Sequence, residues 1–380
     1  MERLDRLRGA VPPRRHNART IAALSVNPSC SRRAVLDAAG ADKQAIAAHA
    51  GFPARFGQSR FALVRGNIFE AQLKADGCAA LMRLLADTLG VTPAGPGATG
   101  IAGSPAGIEV RYDDLGDDED ATVTARHRRT RDLLARPADA ALIDHPLLRL
   151  SIAGRPVYLE PDLIAARLAG RYHVVEIKSF AIVDGQADSA KVAAAATQAA
   201  VYVLALRRLI AELGRDEDLV SHDVVLVCPE NFANRPTAVV LDVRRQLATL
   251  RRQLARLARV DTLLAELPDE LTVDLRPDGA GRPTRPAADL VAALTRLAAR
   301  YAPECLSACE LAYFCRQEAA GSTAALGRPV REALGGVPGV REALALAAGT
   351  AEPADDQAEA AALLRTAARL RAEALASGPR

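Results

Sequence analysis

Apolar and polar residues follow a helical period near the N-terminus and an alternating period in the middle of the chain. Apolar positions recur every three or four residues from Cys30 to Leu89, most clearly in SRRAVLDAAG and IFEAQLKADGCAALMRLLADTLG, which predicts helices. From Gly90 to Gly107 the composition turns to Gly, Pro, Ala and Thr, which predicts a loop or linker. The acidic run from Asp113 to Asp120 indicates a solvated loop.

Alternation of apolar and polar residues begins near Ala141 and predicts a series of strands. The segments LLRLSIAG, RPVYLEPDLIAARLAG and RYHVVEIKSF have the pattern of successive strands, with turns at Gly154 and Gly170. Farther along, DVVLVCPE and TAVVLDV predict two more strands.

Helical patterns return in the second half of the chain. One helix is expected from about Ser189 to Leu213, where Gly214 ends it. The segment RRQLATLRRQLARL, from Arg244 to Leu257, predicts an amphipathic helix with a heptad duplication. From Gly321 onward the pattern is an Ala-rich helical tail broken by Gly and Pro.

Bulk properties exclude some classes of protein. The 380 residues carry a net charge of only +3, so any affinity for nucleic acid must be local. No apolar segment follows the N-terminus, and the most apolar run, Val192 to Leu206, is too short to span a membrane. We therefore expect a cytoplasmic protein without a membrane partner, whose six cysteines do not form three disulfides.

Lysine is scarce in this chain. Of 49 basic residues, 45 (49 − 4) are arginines, and the four lysines are Lys43, Lys74, Lys178 and Lys191. Lysine is a compact ammonium that can sit on a single oxygen, whereas arginine is a broad and permanently charged fork. Because Lys178 follows Glu176 by two residues in what the pattern predicts as a buried strand, a chemical role for it is a natural hypothesis.

The period of two in this strand places Glu176 and Lys178 on one face. The preceding hairpin is expected to turn at Ala169–Gly170, and that register brings Asp162 opposite Glu176 or Ile177, with Cβ atoms about 5 Å apart. Two carboxylates that close need a proton or cation between them, and a divalent metal is the natural occupant. Lys178 would then orient a water or steady a phosphate oxygen. The alternative is a surface hairpin with a Glu–Lys pair.

A polar stripe marks the helix that follows. Lys191, Gln198 and Tyr202 are spaced by seven and four residues on an otherwise Ala-rich helix, and so share one face. Ordinary amphipathic packing is the alternative for Tyr202.

The ordered set of Asp162, EIK at Glu176 to Lys178 and QAAVY at Gln198 to Tyr202 resembles the PD-(D/E)XK nucleases of the RecB-like group. That group also has an upstream G-x-x-x-H/E element on a helix, and RGNIFE offers Gly66 and Glu70 at this spacing. The resemblance implies a restriction-endonuclease-like α/β fold, in which a mixed sheet is flanked by helices.

The same resemblance implies a function, namely hydrolysis of DNA phosphodiester bonds with Mg²⁺ or Mn²⁺. It implies that Lys178 positions the attacking water and that Gln198 and Tyr202 line the strand path. The metal ligands it implies are Asp162, Glu176, the Ile177 carbonyl and Glu70. An exonuclease acting on single-stranded or free DNA ends is expected, with protein partners in DNA repair, recombination or phage defence.

The cysteines form a second pattern. CLSACELAYFC gives Cys305, Cys309 and Cys315, while Cys30 lies far upstream. One N-terminal and three C-terminal cysteines around such a core resemble the iron–sulfur nucleases, including the AddB nuclease domain and the CRISPR-associated exonuclease family. Their C-terminal run more often begins C-x-x-C. The resemblance implies a 4Fe–4S cluster that joins the two ends of the chain; zinc and free buried thiols are the alternatives. Cys78 and Cys228 are predicted core residues.

Basic residues near the candidate site offer a phosphate-binding surface, for which a solvated face in an Arg-rich protein is the alternative. The candidates are Lys191, Arg244, Arg245, Arg251 and Arg252.

These patterns divide the chain into five segments and leave two rival functions. The segments are an N-terminal helical part (1–89), a linker or insertion (90–135), a nuclease core (136–260), a helical segment with cluster cysteines (261–320) and a helical tail (321–380). The rivals are a catalytically inactive, nuclease-derived DNA-binding subunit and a zinc-stabilised interaction protein.

Overall fold

The computed structural model describes residues 2–54, 60–91, 111–116, 122–136, 141–168, 170–231 and 233–377. The chain divides into two compact units. The sheet unit comprises Arg15–Ser25 and Gly57–Asp261, and the terminal unit comprises Met1–Arg14, Val26–Phe56 and Thr262–Arg380. Each unit is considered by itself below.

The strands, numbered in chain order over the described residues, all lie in the sheet unit. They are β1 (Arg111–Asp114), β2 (Ala141–Asp144), β3 (Leu148–Ile152), β4 (Arg155–Leu159), β5 (Leu163–Leu168), β6 (Arg171–Ile177), β7 (Asp223–Pro229) and β8 (Pro236–Asp242). Six of them form one sheet in the order β1-β2-β5-β6-β7-β8, and β3 and β4 form a separate hairpin. The large sheet is mixed, because β1–β2 and β6–β7 pair in parallel and its other neighbours pair antiparallel.

The helices are also numbered over the described residues. They are α1 (Glu2–Arg8), α2 (Ala18–Ala23), α3 (Ser31–Ala39), α4 (Lys43–His49), α5 (Arg60–Lys74), α6 (Ala79–Thr88), α7 (Val123–Ala135), α8 (Ser189–Glu212), α9 (Arg244–Leu257), α10 (Val260–Ala265), α11 (Ala287–Thr295), α12 (Ala312–Glu318), α13 (Arg328–Ala333), α14 (Val340–Ala348) and α15 (Ala358–Ala376). The mixed α/β class expected from the sequence is therefore confirmed at this level.

Helices cover both faces of the large sheet. On one face, Phe69 and Leu73 of α5 and Leu81 of α6 pack with Val175 and Val225 of the central strands. On the other face, α8 packs against β6 and β7, and Ala195 joins the core with Leu226 and Cys228. Burial on both faces explains why β6 and β7 are almost continuously apolar in sequence, apart from the charged positions considered below.

The helix α8 has the length and composition of a membrane span, and it is the one such helix in the described part of the chain. Half of its most apolar stretch is buried within the protein, however. Its apolar character is thus consistent with a core helix of a soluble protein.

The terminal unit is helical in its described part. Helix α1 packs against α3, and the Val273 amide donates a hydrogen bond to the Leu7 carbonyl, so the N-terminal helix is tied to the segment after α10. Helices α14 and α15 pack on each other around a small apolar cluster that contains Leu346 and Ala361. The predicted helical tail is confirmed over its described residues.

Three expectations about the strands need correction. The segment RPVYLEPDLIAARLAG is not one strand: β4 ends at Leu159 and β5 begins at Leu163, in different sheets. Pro161 lies at the break, where it cannot donate a ladder hydrogen bond. The strand β2 was not predicted, since its four residues are too few to alternate visibly.

The third correction concerns the segment predicted as a linker and acidic loop. Asp113 and Asp114 belong to β1, where pairing with β2 holds them in an extended conformation. Helix α7 follows, with a helical N-cap at Thr122. Residues 92–110 and 117–121, including most of the predicted loop and acidic run, lie outside the described residues.

Candidate functional site

Carboxylates from four strands lie along one edge of the large sheet, namely the edge formed by the ends of its strands. Strands β1, β2 and β6 end at this edge and β5 begins there, because β5 runs antiparallel to its neighbours β2 and β6. Each strand contributes one acid within a residue of its end. We call this group the acidic edge; its members are Asp114, Asp144, Asp162 and Glu176.

The hairpin of β5 and β6 has the register expected from its sequence. Leu163 pairs with Val175, which places Asp162 beside Glu176. The Asp162 carboxylate accepts a hydrogen bond of 2.6 Å from the amide of Ile177. Lys178, the next residue, forms an ion pair with Glu176. The prediction that Asp162, Glu176 and Lys178 lie close together is therefore confirmed.

Glu176 lacks the contacts that usually accompany a buried carboxylate. It is 1% exposed, and apart from the ion pair with Lys178 neither of its carboxylate oxygens has a hydrogen-bond partner among the described residues. Burial, together with the neighbouring Asp162 carboxylate, raises the pKa of Glu176 to about 8. Burial likewise raises the pKa of Asp162, although Lys178 acts in the opposite direction. The pair is short of positive charge, which is the condition that favours a bound cation.

Lys178 is held in its charged form. Burial alone would lower the pKa of this ammonium, but the carboxylates of Glu176 and Asp162 outweigh burial, and the net effect is an increase. A buried ammonium of this kind is a fixed hydrogen-bond donor beside the carboxylate pair.

A second charged cluster lies at the same edge. Lys74, one helical turn after Glu70 on α5, donates hydrogen bonds from Nζ to Glu70 Oε1 at 2.6 Å and to Asp144 Oδ1 at 2.7 Å. His145 Nε2 lies 3.5 Å from Glu70 Oε1. We call Glu70, Lys74, Asp144 and His145 the Lys74 cluster. Hydrogen bonding to His145 and Lys74 outweighs burial and lowers the pKa of Glu70 to about 2, and the contact with Glu70 is the largest reason that the pKa of His145 rises to about 9.

His145 connects the two charged groups through its backbone. Its amide donates to the Asp162 carbonyl at 3.2 Å, which continues the β2–β5 ladder past the last paired residues. Its Nδ1 lies 3.2 Å from Asp144 and 3.3 Å from Asp114. His145 has a φ of +48°, a conformation that costs energy for a residue with a side chain. That strain directs the imidazole toward three carboxylates.

Sequence reasoning missed most of the Lys74 cluster. It identified Glu70 but not Lys74, Asp144 or His145. It also missed Tyr112, whose hydroxyl donates to Asp144 Oδ2 at 2.7 Å. Two signals were present: an Asp–His pair directly after the apolar run ALI, and the scarcity of lysine itself.

The predicted polar stripe of α8 is only partly assembled. The Gln198 amide contacts the Tyr202 hydroxyl at 3.3 Å, and Tyr202 is buried close enough to Glu176 for that carboxylate to help raise its pKa, after burial itself. Lys191, at the start of the helix, is instead solvent-exposed. Gln198 and Tyr202 therefore belong to the wall of the acidic edge, and Lys191 lies outside it.

The predicted arginine face is present on α9. Leu247, Leu250 and Leu257 are buried, and Arg244, Arg245, Arg251 and Arg252 are exposed. Arg244 is paired with Asp242 and Arg251 with Glu217, whereas Arg245 and Arg252 form no ion pair with a described residue. This face carries a smaller unpaired charge than its sequence suggests.

The four predicted cluster cysteines all lie in the terminal unit. Cys30 is the N-cap residue of α3, Cys305 lies in a 3₁₀ turn, and Cys315 lies in α12. The amide of Cys309 donates to the Cys305 carbonyl at 2.9 Å, so the spacing of four residues is accommodated by one turn of backbone. Cys78 and Cys228 pack in the two hydrophobic clusters of the large sheet, as predicted for core residues.

Buried donors and cations surround these thiols. Asn27 Nδ2 donates to Cys305 Sγ at 3.1 Å, and Arg32 Nη1 donates to Cys315 Sγ at 3.2 Å. Arg33 and Lys43 both act electrostatically on Cys309. Each cation also has a carboxylate partner, through the pairs Arg32–Glu318, Arg33–Asp37, Lys43–Asp37 and Lys43–Glu310.

Burial nevertheless has the largest effect on the pKa of the Cys309 and Cys315 thiols. It raises the pKa of Cys315 to about 12, although Arg32 acts in the opposite direction, and it raises that of Cys309 as well. Arg33 Nη1 is buried without a hydrogen-bond partner among the described residues. An unpartnered guanidinium nitrogen on a residue that interacts with the Cys309 thiol is a position suited to an additional negative charge.

No family model matches this chain, and no curated protein matches it significantly in sequence.

The electrostatics of Glu176 predict an effect on stability. Between its ordinary pKa of 4.5 and its folded pKa of about 8, the native state binds more protons than the unfolded state, so this residue's contribution falls as pH rises through that window. In EDTA, Glu176→Gln should melt a few °C above the wild type at pH 8, since it removes a charge disfavoured by on the order of 1 kcal/mol or more. The difference should shrink toward pH 5.

Melting curves at both pH values, with exposed Glu270→Gln as the matched control, measure this effect. A Glu176→Gln protein less stable than the wild type at pH 8 would show that the pair with Lys178 outweighs burial.

Proposed function

We propose that this protein is a metal-dependent DNA nuclease of the PD-(D/E)XK type, with a restriction-endonuclease-like sheet core. The observation that carries the proposal is the buried Glu176 carboxylate, which lies beside the Asp162 carboxylate at a sheet edge and has the Lys178 ammonium as its one polar partner among the described residues. In a core that served only stability, a carboxylate in that position would be a net cost.

The acidic edge fits a hard divalent ion. Glu176 and Asp162 place two carboxylates beside a single ammonium, that of Lys178, and oxygen ligands of this type suit Mg²⁺ and Mn²⁺. We assign Asp162, Glu176 and the Ile177 carbonyl as ligands, with Glu70 as a further one. An ion held there would polarise a phosphate oxygen and lower the pKa of a bound water.

The protein's own groups have separate roles. The Lys178 ammonium, kept charged by Glu176 and Asp162, donates a hydrogen bond that orients the attacking water or a phosphate oxygen. The Tyr202 hydroxyl stays protonated, because burial and the nearby carboxylates raise its pKa, so it acts as a donor toward the DNA strand together with Gln198. Tyr202 and Gln198 need not bind DNA tightly, since both serve to position the scissile phosphate.

The substrate assignment rests on charge and accessibility. Arg245 and Arg252 on α9 supply exposed cations for backbone phosphates, Lys191 adds one at the start of α8, and Arg244 and Arg251 can exchange their carboxylate partners for phosphates. Phosphate contacts of this kind carry no sequence information. We therefore propose a sequence-independent exonuclease that acts on single-stranded DNA ends, with partners in DNA repair, recombination or phage defence.

We also propose a 4Fe–4S cluster on Cys30, Cys305, Cys309 and Cys315. Two thiols already accept N–H donors, and the unpartnered Nη1 of Arg33 supplies a further donor that an anionic cluster would use. The cluster's role would be structural, because it would link the start of α3 to α12 within the terminal unit.

The decisive experiment is digestion of end-labelled single-stranded DNA with Mn²⁺ by protein purified without oxygen, combined with iron and zinc analysis. Cutting with iron bound is expected. DNA binding without cutting would favour the inactive subunit, and one zinc with no cutting would favour the interaction protein.

Lys178→Ala should reduce cutting about 100-fold or more while DNA binding persists, since the variant loses the donor beside the metal. Lys178→Arg should be similarly impaired, because a guanidinium cannot take the position of the compact ammonium. Initial rates at saturating Mn²⁺ test both, with the exposed Arg83→Ala on α6 as the charge-matched control. Full activity of Lys178→Arg would refute a specific role for lysine.

Asp162→Asn should raise the Mn²⁺ concentration needed for half-maximal activity by about tenfold or more, because an amide supplies no charge to the ion. EDTA should abolish cutting by the wild type. The control is Asp87→Asn, an exposed acid on α6. An activation curve for Asp162→Asn that overlays the wild type would remove Asp162 from the ligand set.

Substitution of Cys30, Cys305, Cys309 or Cys315 by Ala should remove iron and visible absorbance and lower the melting temperature. The link between Cys30 and Cys305 closes a loop of 275 positions (305 − 30), and the loss of such a cross-link costs about 5–6 kcal/mol in the chain-entropy model. Cys78→Ala and Cys228→Ala should keep their iron. Full iron content in Cys30→Ala would mean that the fourth ligand is another residue.

A further inference from the structure

The Lys74 ammonium bridges two members of a ligand set that would suit a metal ion. Its Nζ lies 2.6 Å from Glu70 Oε1 and 2.7 Å from Asp144 Oδ1. Ligand atoms of Glu70, Asp144 and His145 all lie within 4.8 Å of one another. Two carboxylates and an imidazole at that separation are a donor set that manganese accepts.

Asp144 makes this lysine indispensable to the cluster. Its side chain is fully buried, and its oxygens are satisfied by Lys74, by the Tyr112 hydroxyl and by contact with His145. A buried carboxylate stripped of its cation is strongly destabilising. Some cation must therefore occupy this position, and the chain supplies one covalently.

The choice of lysine matches the geometry. An ammonium is a compact point charge that can lie between two oxygens from different elements, whereas a guanidinium spreads its donors over a planar fork. This chain uses arginine 45 times and lysine four times (49 − 45), yet lysine is the residue found here.

We propose that Lys74 takes the place of a second divalent ion, so that the acidic edge binds one exchangeable metal ion, at Asp162 and Glu176. The inference rests on the proposed function for the ion at Asp162 and Glu176. It goes further by stating that the acidic edge holds one metal ion rather than two. Lys74 Nζ bridges the Glu70 and Asp144 carboxylates. Its removal leaves these two negative charges without that cation, and a divalent ion would neutralise them.

The test is to count bound Mn²⁺ in purified protein. Titration followed by the electron paramagnetic resonance signal of free Mn²⁺ should give one ion per chain for the wild type and two for Lys74→Ala. Lys74→Arg keeps the positive charge and should bind one. A triple variant that combines Asp162→Asn, Glu176→Gln and Lys74→Ala should bind one ion, and the double variant that keeps Lys74 should bind none. This pair of results would assign the extra ion to the position that Lys74 vacates.

Thermal melting supplies a readout that is independent of activity. In EDTA, Lys74→Ala should melt below the wild type, and Mn²⁺ should restore it by several °C more than it shifts the wild type. The exposed Lys191→Ala serves as the matched control for loss of a lysine, and Mn²⁺ should shift its melting temperature no more than it shifts that of the wild type.

The possible outcomes separate this inference from the proposed function. Two ions bound to the wild type, or a single ion and no Mn²⁺ rescue in Lys74→Ala, would overturn the role of Lys74 while leaving a metal-dependent nuclease intact. No ion bound to the wild type but one bound to Lys74→Ala would support the role of Lys74 and refute the metal site at Asp162 and Glu176.

Discussion

The placement of two carboxylates at the end of a single buried hairpin constrains the rest of the sheet unit. Asp162 and Glu176 are adjacent because Leu163 pairs with Val175, and a slip of one residue in that register would turn one of them to the opposite face. Glu176 is buried and Asp162 is partly buried, so their repulsion is poorly screened by solvent. The apolar layers of α5, α6 and α8 provide the stability that allows such a pair to persist.

Sequence periodicity predicted what depends on local pattern and missed what depends on pairing between distant segments. The expected turn predicted the hairpin register to within one residue, and a register shift between Ala165 and Leu168 places Asp162 beside Glu176. Helix α9 follows from its leucine spacing with the predicted bounds. Strands β1 and β2 have four residues each, and they become strands because they pair with each other and with β5. The carboxylates that they carry, Asp114 and Asp144, were therefore not identified as site residues from the periodicity of the sequence.

The distribution of lysine links the sequence to the chemistry of both units. Lys74 and Lys178 are buried among carboxylates of the acidic edge, and Lys43 is buried against Asp37 and Glu310 beside Cys309. Only Lys191 is exposed. Where a cation had to fit between oxygens in a confined space, this arginine-rich chain has the smaller head group. The rarity of lysine was thus a better guide to the charged clusters of the structure than net charge.

In both candidate sites, basic side chains lie beside the carboxylates or thiols that would bind a metal. In the sheet unit, Lys178 and Lys74 partly neutralise the acidic edge; in the terminal unit, Arg32, Arg33 and Lys43 accompany the thiols. Fixed cations reduce the cost of folding before a metal is bound, because an unpaired buried charge would otherwise be too costly. They also limit how much further positive charge each site can accept. In the sheet unit Glu176 and Asp162 share the single Lys178 ammonium, and in the terminal unit Arg33 Nη1 has no hydrogen-bond partner among the described residues. These two features suit the proposed divalent ion and the proposed iron–sulfur cluster, respectively.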